Sequence, residues 1–131
     1  MNGQPIDPDT LAAPRGYSNG MLFPAGGRVL FVAGQIGWDK DCQFVEGLTA
    51  QFELALRNIL EVVRAAGGGP ESIGRLTIYV IDRNDYAVKV KEIGRAYRAV
   101  LGKHFPAMAL VQVAGLLEPR ALVEIEATAV V

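Results

Sequence analysis

The sequence predicts an α+β domain in which two helices pack on one face of a mixed sheet. Short runs rich in β-branched residues lie near both ends of the chain and in its middle, which is typical of strands. Two longer segments between these runs repeat apolar residues at helical spacing. The predicted order is β-β-α-β-α-β-β, and strand runs interrupted by two helices favour one layer of helices on one sheet. A chain of 131 residues suffices for a single domain with its own core, so we expect one domain over residues 1–131.

The N-terminal part is predicted to begin with an arm and continue into two strands. Residues 1–16 carry three prolines and several polar residues, which indicates an irregular arm. A short strand is expected over residues 21–24 and a longer one over residues 29–36. The glycine-containing segment 25–28 between them predicts a hairpin turn.

The two helices have recognisable ends. Apolar residues at helical spacing over residues 52–63 predict the first helix, with Thr49 as its N-cap and the glycine run 67–69 as its end. A β-branched strand is expected over residues 75–81. A second, continuous helix is then expected to start at Asn84 or Asp85 and to end at Gly102.

The last predicted strand, residues 123–130, places carboxylates in the most apolar part of the chain. Side chains alternate along a strand, so Glu124 and Glu126 share one face with Thr128, while Val123 and Ile125 point to the other. The two carboxylates are then about 7 Å apart along the strand. Either this face is in water, or a carboxylate is held in a cleft.

Composition excludes several classes of function. No apolar run reaches the roughly 18 residues of a membrane span, and no signal peptide is visible. One cysteine fits a reducing compartment, so we expect a cytoplasmic protein. A net charge of −1 argues against nucleic acid as a partner. One histidine and one cysteine make a metal site or a histidine-activated nucleophile improbable, so we expect chemistry without metal or cofactor.

One layer of helices leaves the other face of the sheet uncovered. Half of the residues are hydrophobic, which is more than a small monomer needs to bury. The surplus is explained either by a generous core or by a homo-oligomer that buries the bare face. In the second case, sites formed between subunits would follow naturally.

Six short segments, in this order along the chain, resemble the RidA/YjgF family, also called the L-PSP endoribonuclease family. They are Gly16-Tyr17-Ser18, residues 31–36 (FVAGQI), residues 65–67 (AAG), residues 77–82 (TIYVID), residues 105–107 (FPA) and residues 123–130 (VEIEATAV). The resemblance implies a chorismate-mutase-like α+β fold of the bacillus type and a homotrimer with clefts between subunits. It also implies cofactor-independent hydrolysis of enamines and imines, such as 2-aminoacrylate, to 2-keto acids and ammonia.

The chain departs from the family pattern where deaminating members grip their substrate. Met108 stands where the resemblance places an arginine that binds the substrate carboxylate, and a thioether offers no donor. Ala33 replaces a common serine and Leu110 a common cysteine, and an asparagine of the second helix has no clear match, since a longer segment places Val90 or Gly94 there. This part of the predicted cleft is therefore apolar.

The resemblance assigns roles to the remaining site residues. Glu124 is expected to orient water or shuttle a proton and Tyr17 to line the cleft, as the catalytic pair. Gly34 and Gln35 are expected to contact the substrate together with Ala33, Met108 and Leu110. Each residue also has a simpler interpretation: Glu124 as a surface carboxylate, Tyr17 as a packing residue, and Gly34 as the mark of a β-bulge.

Two functional classes stay open at this point, with a third behind them. The first is an enamine or imine deaminase, for which Arg15 or Arg120 either supplies the missing guanidinium or is an ordinary surface arginine. The second is a non-catalytic homotrimer that binds a small ligand between its subunits. An endoribonuclease is third, because the acidic balance and the lack of a histidine pair weigh against it.

Overall fold

The computed structural model describes residues 2–131. Its strands and helices follow the predicted order, with one short strand added at the beginning and the second helix divided in two. The strands are β1 (Gln4–Ile6), β2 (Gly20–Leu22), β3 (Val29–Ile36), β4 (Ile73–Val80), β5 (Ala107–Gln112) and β6 (Val123–Val130). The helices are α1 (Leu48–Ala65), α2 (Arg83–Val88) and α3 (Val90–Leu101), and a 3-10 turn spans Pro70–Ser72.

Four strands form the main sheet in the spatial order β3-β6-β4-β5. Strand β6 is antiparallel to both of its neighbours, whereas β4 and β5 are parallel. A parallel pair needs a crossover connection, and α2 and α3 supply it. The predicted mixed sheet with helices on one face is therefore confirmed.

The first two strands form a separate two-stranded sheet. Strand β2 pairs with β1, so the predicted hairpin between β2 and β3 is wrong, and residues 4–6 of the arm are regular. The ring of Phe23 explains the difference, since a Cβ added to Gly74 of β4 would lie 2.8 Å from its Cε2. The chain just after β2 is thus held against β4, and β3 takes β6 as its partner.

Burial along β6 follows the predicted alternation. Val123, Ile125 and the alanines that follow at every second position are buried, while Glu126 is exposed and Glu124 is half-buried. The buried side chains face α1 and α3, whose apolar residues complete the core: Phe52, Leu56, Ile59, Ile93, Tyr97 and Leu101. The carboxylates therefore lie on the face of the sheet that the helices leave bare.

The N-terminus of α1 differs from the prediction. Gly47, at φ 87°, is its N-cap, and no side chain caps the helix. Glycine adopts this left-handed backbone readily, so the chain can turn directly into the helix before Thr49. The Thr49 hydroxyl is engaged elsewhere, where it donates a hydrogen bond to Glu92 of α3.

The second helical segment also differs from the prediction. Asp82, not Asn84 or Asp85, is the cap, because its carboxylate accepts hydrogen bonds from the backbone N–H groups of both residues, at 3.0 and 3.1 Å. The helix is interrupted at Lys89, where φ is −96° and ψ is 11°. Valines flank this residue on both sides, and β-branched side chains disfavour helix.

The bare face of the sheet carries a large apolar side chain. Phe31 on β3 is 80% exposed, and Val29 and Val111 on the two edge strands are also exposed. Across residues 2–131, none of the helices is both long and apolar enough to cross a bilayer. The sheet therefore contributes part of the exposed apolar surface, together with Val88 of α2 and Leu117 of the loop before β6.

Candidate functional site

Strand β3 carries a β-bulge within residues 31–36, one of the segments that resemble the RidA/YjgF family. Its pairing with β6 slips by one residue between Val32 and Gln35, so Ala33 and Gly34 together stand opposite the single residue Glu126. A bulge leaves one residue without a partner in the ladder and re-aims the neighbouring side chains. The two backbone units at 33 and 34 are therefore the irregular point of an otherwise regular strand.

The carboxylate of Glu124 lies directly against the backbone of Gly34. A Cβ built on Gly34 would be 2.5 Å from Oε2 and 2.8 Å from Cδ of Glu124, closer than side-chain carbons come to other atoms. Glycine thus leaves the space that the carboxylate occupies, because any larger residue would displace the carboxylate.

A tyrosine that was not predicted as a site residue stands beside Gly34 and Glu124. Tyr79 on β4 pairs with Glu124 of β6, and its hydroxyl donates a 2.8 Å hydrogen bond to Oε1 of Glu126. That hydrogen bond, followed by desolvation and the two negative carboxylates, raises the pKa of Tyr79. The signal was present in the sequence, since Arg75, Thr77 and Tyr79 form the polar alternate positions of β4.

Met108 and Leu110 lie on the opposite face of the sheet. In the parallel pairing, Met108 stands beside Leu76 and Leu110 beside Ile78, and both partners are buried under the helices. Met108 and Leu110 pack partly buried against the same core. A single chain therefore does not bring them to Glu124.

Tyr17 is held at the β5 edge of the sheet. The neighbouring Ser18 donates from its backbone N–H to the carbonyl of Pro106 at 3.0 Å, and from its hydroxyl to the carbonyl of Phe105 at 2.6 Å. Strand β4 separates β5 from β6. Tyr17, which is 38% exposed, is thus near the start of β5 and separated from the carboxylate-bearing strand β6 by β4.

A cavity of about 180 Å³ opens between α3, the start of β5 and the arm, and is called here the α3–β5 cavity. Apolar and aromatic side chains form most of its wall, and Gly94 of α3 and two arginines border it. The residues that line it include Arg15, Tyr86, Tyr97, Arg98, Phe105 and Met108. Burial raises the pKa of Tyr86, so its phenol stays protonated as a donor. No sequence signal singled out Arg98, which lies one helical turn after Gly94.

Gln35 stays beside the bulge, where its Nε2 donates a 3.1 Å hydrogen bond to the carbonyl of Ala33, whereas Arg120 lies away from both groups. Gln35 borders a separate cavity of about 350 Å³ on the helix side, with Trp38 and Asn58. Arg120 is paired with Glu46 at 3.3 Å, and its guanidinium lies 5.3 Å from the centre of the Phe44 ring. Arg15, the other predicted candidate for the missing guanidinium, does border the α3–β5 cavity beside Met108.

The comparison with known protein families is decisive. The family described as Endoribonuclease L-PSP matches residues 8–131, almost the whole chain. The chain belongs to the L-PSP family. The predicted family resemblance is therefore confirmed.

Several relatives within the L-PSP family carry the name of an activity. The human 2-iminobutanoate/2-iminopropanoate deaminase is 33% identical over 116 residues, which is 87% of this chain and 79% of the human protein. The RutC family protein UK114 of Drosophila melanogaster is 36% identical over 104 residues, which is 78% of this chain and 72% of that protein. Relatives of the family are thus named as imine deaminases.

Solved structures confirm the chorismate-mutase-like fold expected for the L-PSP family. The conserved Rid family protein YyfB from Yersinia pestis, of unknown function, superposes with a TM-score of 0.82 at 35% identity, and each chain is covered completely. Escherichia coli TdcF with bound serine has a TM-score of 0.70 at 29% identity, with 91% of each chain covered.

The predicted site residues of this L-PSP chain form two groups on two surfaces. The Glu124 half-site consists of Ala33, Gly34 and Glu124 and lies on the bare face of the sheet. The Met108 half-site consists of Met108 and the α3–β5 cavity, on the opposite face, and Tyr17 is held at the same edge of the sheet through Ser18. Within one chain, the geometry joins the members of each half-site but not the two half-sites.

Proposed function

We propose that this L-PSP chain hydrolyses a reactive imine or its enamine tautomer to a carbonyl compound and ammonia, in clefts between the subunits of a homotrimer. Relatives named 2-iminobutanoate/2-iminopropanoate deaminase support the reaction class. The observation that carries the proposal for this chain is the bare backbone at Gly34, which holds room for the Glu124 carboxylate. A merely solvated surface glutamate would need no such space.

The chemistry needs one carboxylate, one water and nearby dipoles. Glu124 removes a proton from water as the oxygen attacks the carbon of the protonated imine, and a neutral carbinolamine forms. The protonated Glu124 then gives its proton to the nitrogen, and as ammonia leaves, Glu124 takes up the proton of the hydroxyl and the carbonyl forms. For an enamine, protonation at its β-carbon precedes these steps. We assign the polarisation of the C=N bond to backbone N–H groups at the bulge, since the carbonyl of Ala33 already accepts a hydrogen bond from Gln35.

The proposal of a shared cleft follows from the separation of the half-sites. Glu124 and Met108 are on opposite faces of the sheet, so a small substrate touches both only if two chains contribute. The bare sheet face, with Phe31 exposed, is the surface that subunits would bury against one another. Light scattering coupled to gel filtration measures the assembly directly, and a monomer would contradict this part of the proposal.

The reaction is tested with substrates made in place. An amino-acid oxidase or a dehydratase generates 2-imino acids and 2-aminoacrylate, and keto-acid release is followed with and without the protein. We expect the protein to accelerate keto-acid release. The Glu124→Gln variant should hydrolyse the imine about 10²- to 10⁴-fold more slowly than the wild type, which is the usual contribution of a general acid–base group. Glu126→Gln is the matched control on the same strand and face, and it should stay within about threefold.

The outcomes separate the candidate functions. Equal losses in both variants would assign the effect to overall charge and not to the acid–base role of Glu124. No acceleration with any substrate would favour the second candidate, a non-catalytic ligand-binding trimer, which the largely apolar wall beside Met108 supports. Ribonuclease activity is disfavoured because the single histidine, His104, has its Nε2 engaged 2.7 Å from the carbonyl of Ile73.

A further inference from the structure

We propose that Arg98 holds the carboxylate of the substrate, and that the α3–β5 cavity takes a large apolar side chain of a 2-imino acid. The inference rests on the proposed deaminase function and names its substrate class. Arg98 then takes the place of Arg120 as the candidate for the arginine that is absent at position 108. Arg120 is paired with Glu46 and lies away from the cavity.

The Arg98 guanidinium lies beside Gly94, one helical turn earlier in α3. A Cβ added to Gly94 would lie 3.4 Å from Nη1 and 4.0 Å from Nη2 of Arg98, which is ordinary van der Waals contact. Gly94 and Arg98 both line the α3–β5 cavity. The guanidinium is therefore at the border of the cavity.

The guanidinium of Arg98 is available to a ligand. Among the residues from 2 to 131, no carboxylate forms an ion pair with Arg98 and no acceptor takes a hydrogen bond from it, whereas Arg57 and Arg120 each have a glutamate partner. Arg15 borders the same cavity and adds a second positive charge. Arginine presents two parallel donors that match a carboxylate, so this border suits an organic acid.

The rest of the cavity suits an apolar group of about the size of a phenyl or isobutyl side chain. Its volume of about 180 Å³ exceeds the roughly 150 Å³ of an apolar protein cavity that is known to bind benzene. The rings of Tyr97 and Phe105 stack at 5.4 Å with an angle of 10° between their planes. The Met108 thioether beside them is a flexible, polarisable surface that adapts to aromatic groups.

Tyr86 also lines the cavity, in addition to the arginines. The side chain is half-buried, and its ring lies 6.3 Å from that of Phe52 in a tilted arrangement. An organic acid with an apolar side chain therefore finds matching chemistry for both of these parts in the cavity and at its border.

The test measures binding separately from turnover, with 2-keto acids as stable stand-ins for the imine. Calorimetric titration compares phenylpyruvate, pyruvate and phenylacetone, which lacks the carboxylate. Wild-type protein should bind phenylpyruvate at least about tenfold more tightly than either of the others. Arg98→Gln should weaken phenylpyruvate by about 10- to 100-fold and leave phenylacetone unchanged. Arg95→Gln, an exposed arginine of the same helix outside the cavity wall, is the matched control and should stay within about twofold.

Three results would overturn this inference. They are unchanged phenylpyruvate binding in Arg98→Gln, equal weakening in Arg95→Gln, and equal affinity of the wild type for pyruvate and phenylpyruvate. Failure of the deaminase function has a different signature. Phenylpyruvate that binds through Arg98 without any imine hydrolysis by the wild type would overturn the reaction and support the carboxylate site.

Discussion

The substitution Gly34→Ala is expected to move the Glu124 carboxylate without unfolding the protein. The new Cβ would lie 2.5 Å from Oε2 of Glu124, while unstrained contacts are about 3.5 Å. The carboxylate must therefore retreat by about 1 Å. The carboxylate is the far end of a flexible side chain, so its retreat costs little folding free energy. Alanine also restricts the unfolded chain more than glycine does, which offsets part of that cost.

The expected loss of activity is much larger than the expected loss of stability. A misplacement of about 1 Å in a catalytic group costs about 10²-fold in rate, which corresponds to about 2.7 kcal/mol of transition-state stabilisation. The free energy of unfolding should change by less than about 1 kcal/mol, or about 4 °C in Tm. The assay is kcat/KM for imine hydrolysis, with Tm measured by calorimetry on the same preparation.

Two further variants make the test of Gly34 specific. Gly115→Ala is the control, because a Cβ at Gly115 meets no atom within 4 Å, and its rate should equal that of the wild type. In the Glu124→Gln background, Gly34→Ala should have little further effect, since both changes act on one group. Full activity of Gly34→Ala would refute the reasoning, and so would a rate loss accompanied by loss of the folded state.

Two further predictions concern stability. The buried Gln51 hydrogen-bonds three backbone groups of two loops, so Gln51→Ala should lower the free energy of unfolding in urea by about 3 kcal/mol, whereas the exposed Gln43→Ala should leave it nearly unchanged. Burial raises the pKa of Tyr97, whose hydroxyl donates to the carbonyl of His104. The protonated phenol contributes its full stability below about pH 10, the pKa of tyrosine in the unfolded chain. At higher pH the unfolded chain loses this proton while the folded protein keeps it. The free energy of unfolding therefore falls by about 1.4 kcal/mol per pH unit. Tyr97→Phe should show a shallower decline between about pH 10 and 12, and an equal decline would contradict this assignment.

The layers of the fold were predictable because they depend on local patterns. The alternation in β6 alone predicts that Val123 and Ile125 face the helices and that Glu124 faces away, as the structure confirms. The placement of β2 was not predictable in this way. Its partner depends on where Phe23 packs, against Gly74 some fifty residues later, and no local periodicity carries that information.

The candidate site was predictable only in part, for a related reason. Gly34 and Glu124 were selected by family resemblance, and their contact arises from the pairing of β3 with β6. Tyr79 and Arg98 were missed because their relevance depends on neighbours from other elements, across the sheet or around the cavity. Gln35 was selected as a neighbour in sequence of Gly34, yet the bulge turns it toward the helix side.

The central position of β6 has a consequence for how the protein is made. The strand latest in the sequence lies between β3 and β4, so a nascent chain carries two unpaired strand edges until residues 123–130 have left the ribosome. The 42 residues between β4 and β6 take about 2–8 s to translate at typical rates. During that interval the exposed edges can pair with other chains. We therefore expect folding to follow translation of β6, and chaperones that shield unpaired strands to raise the yield.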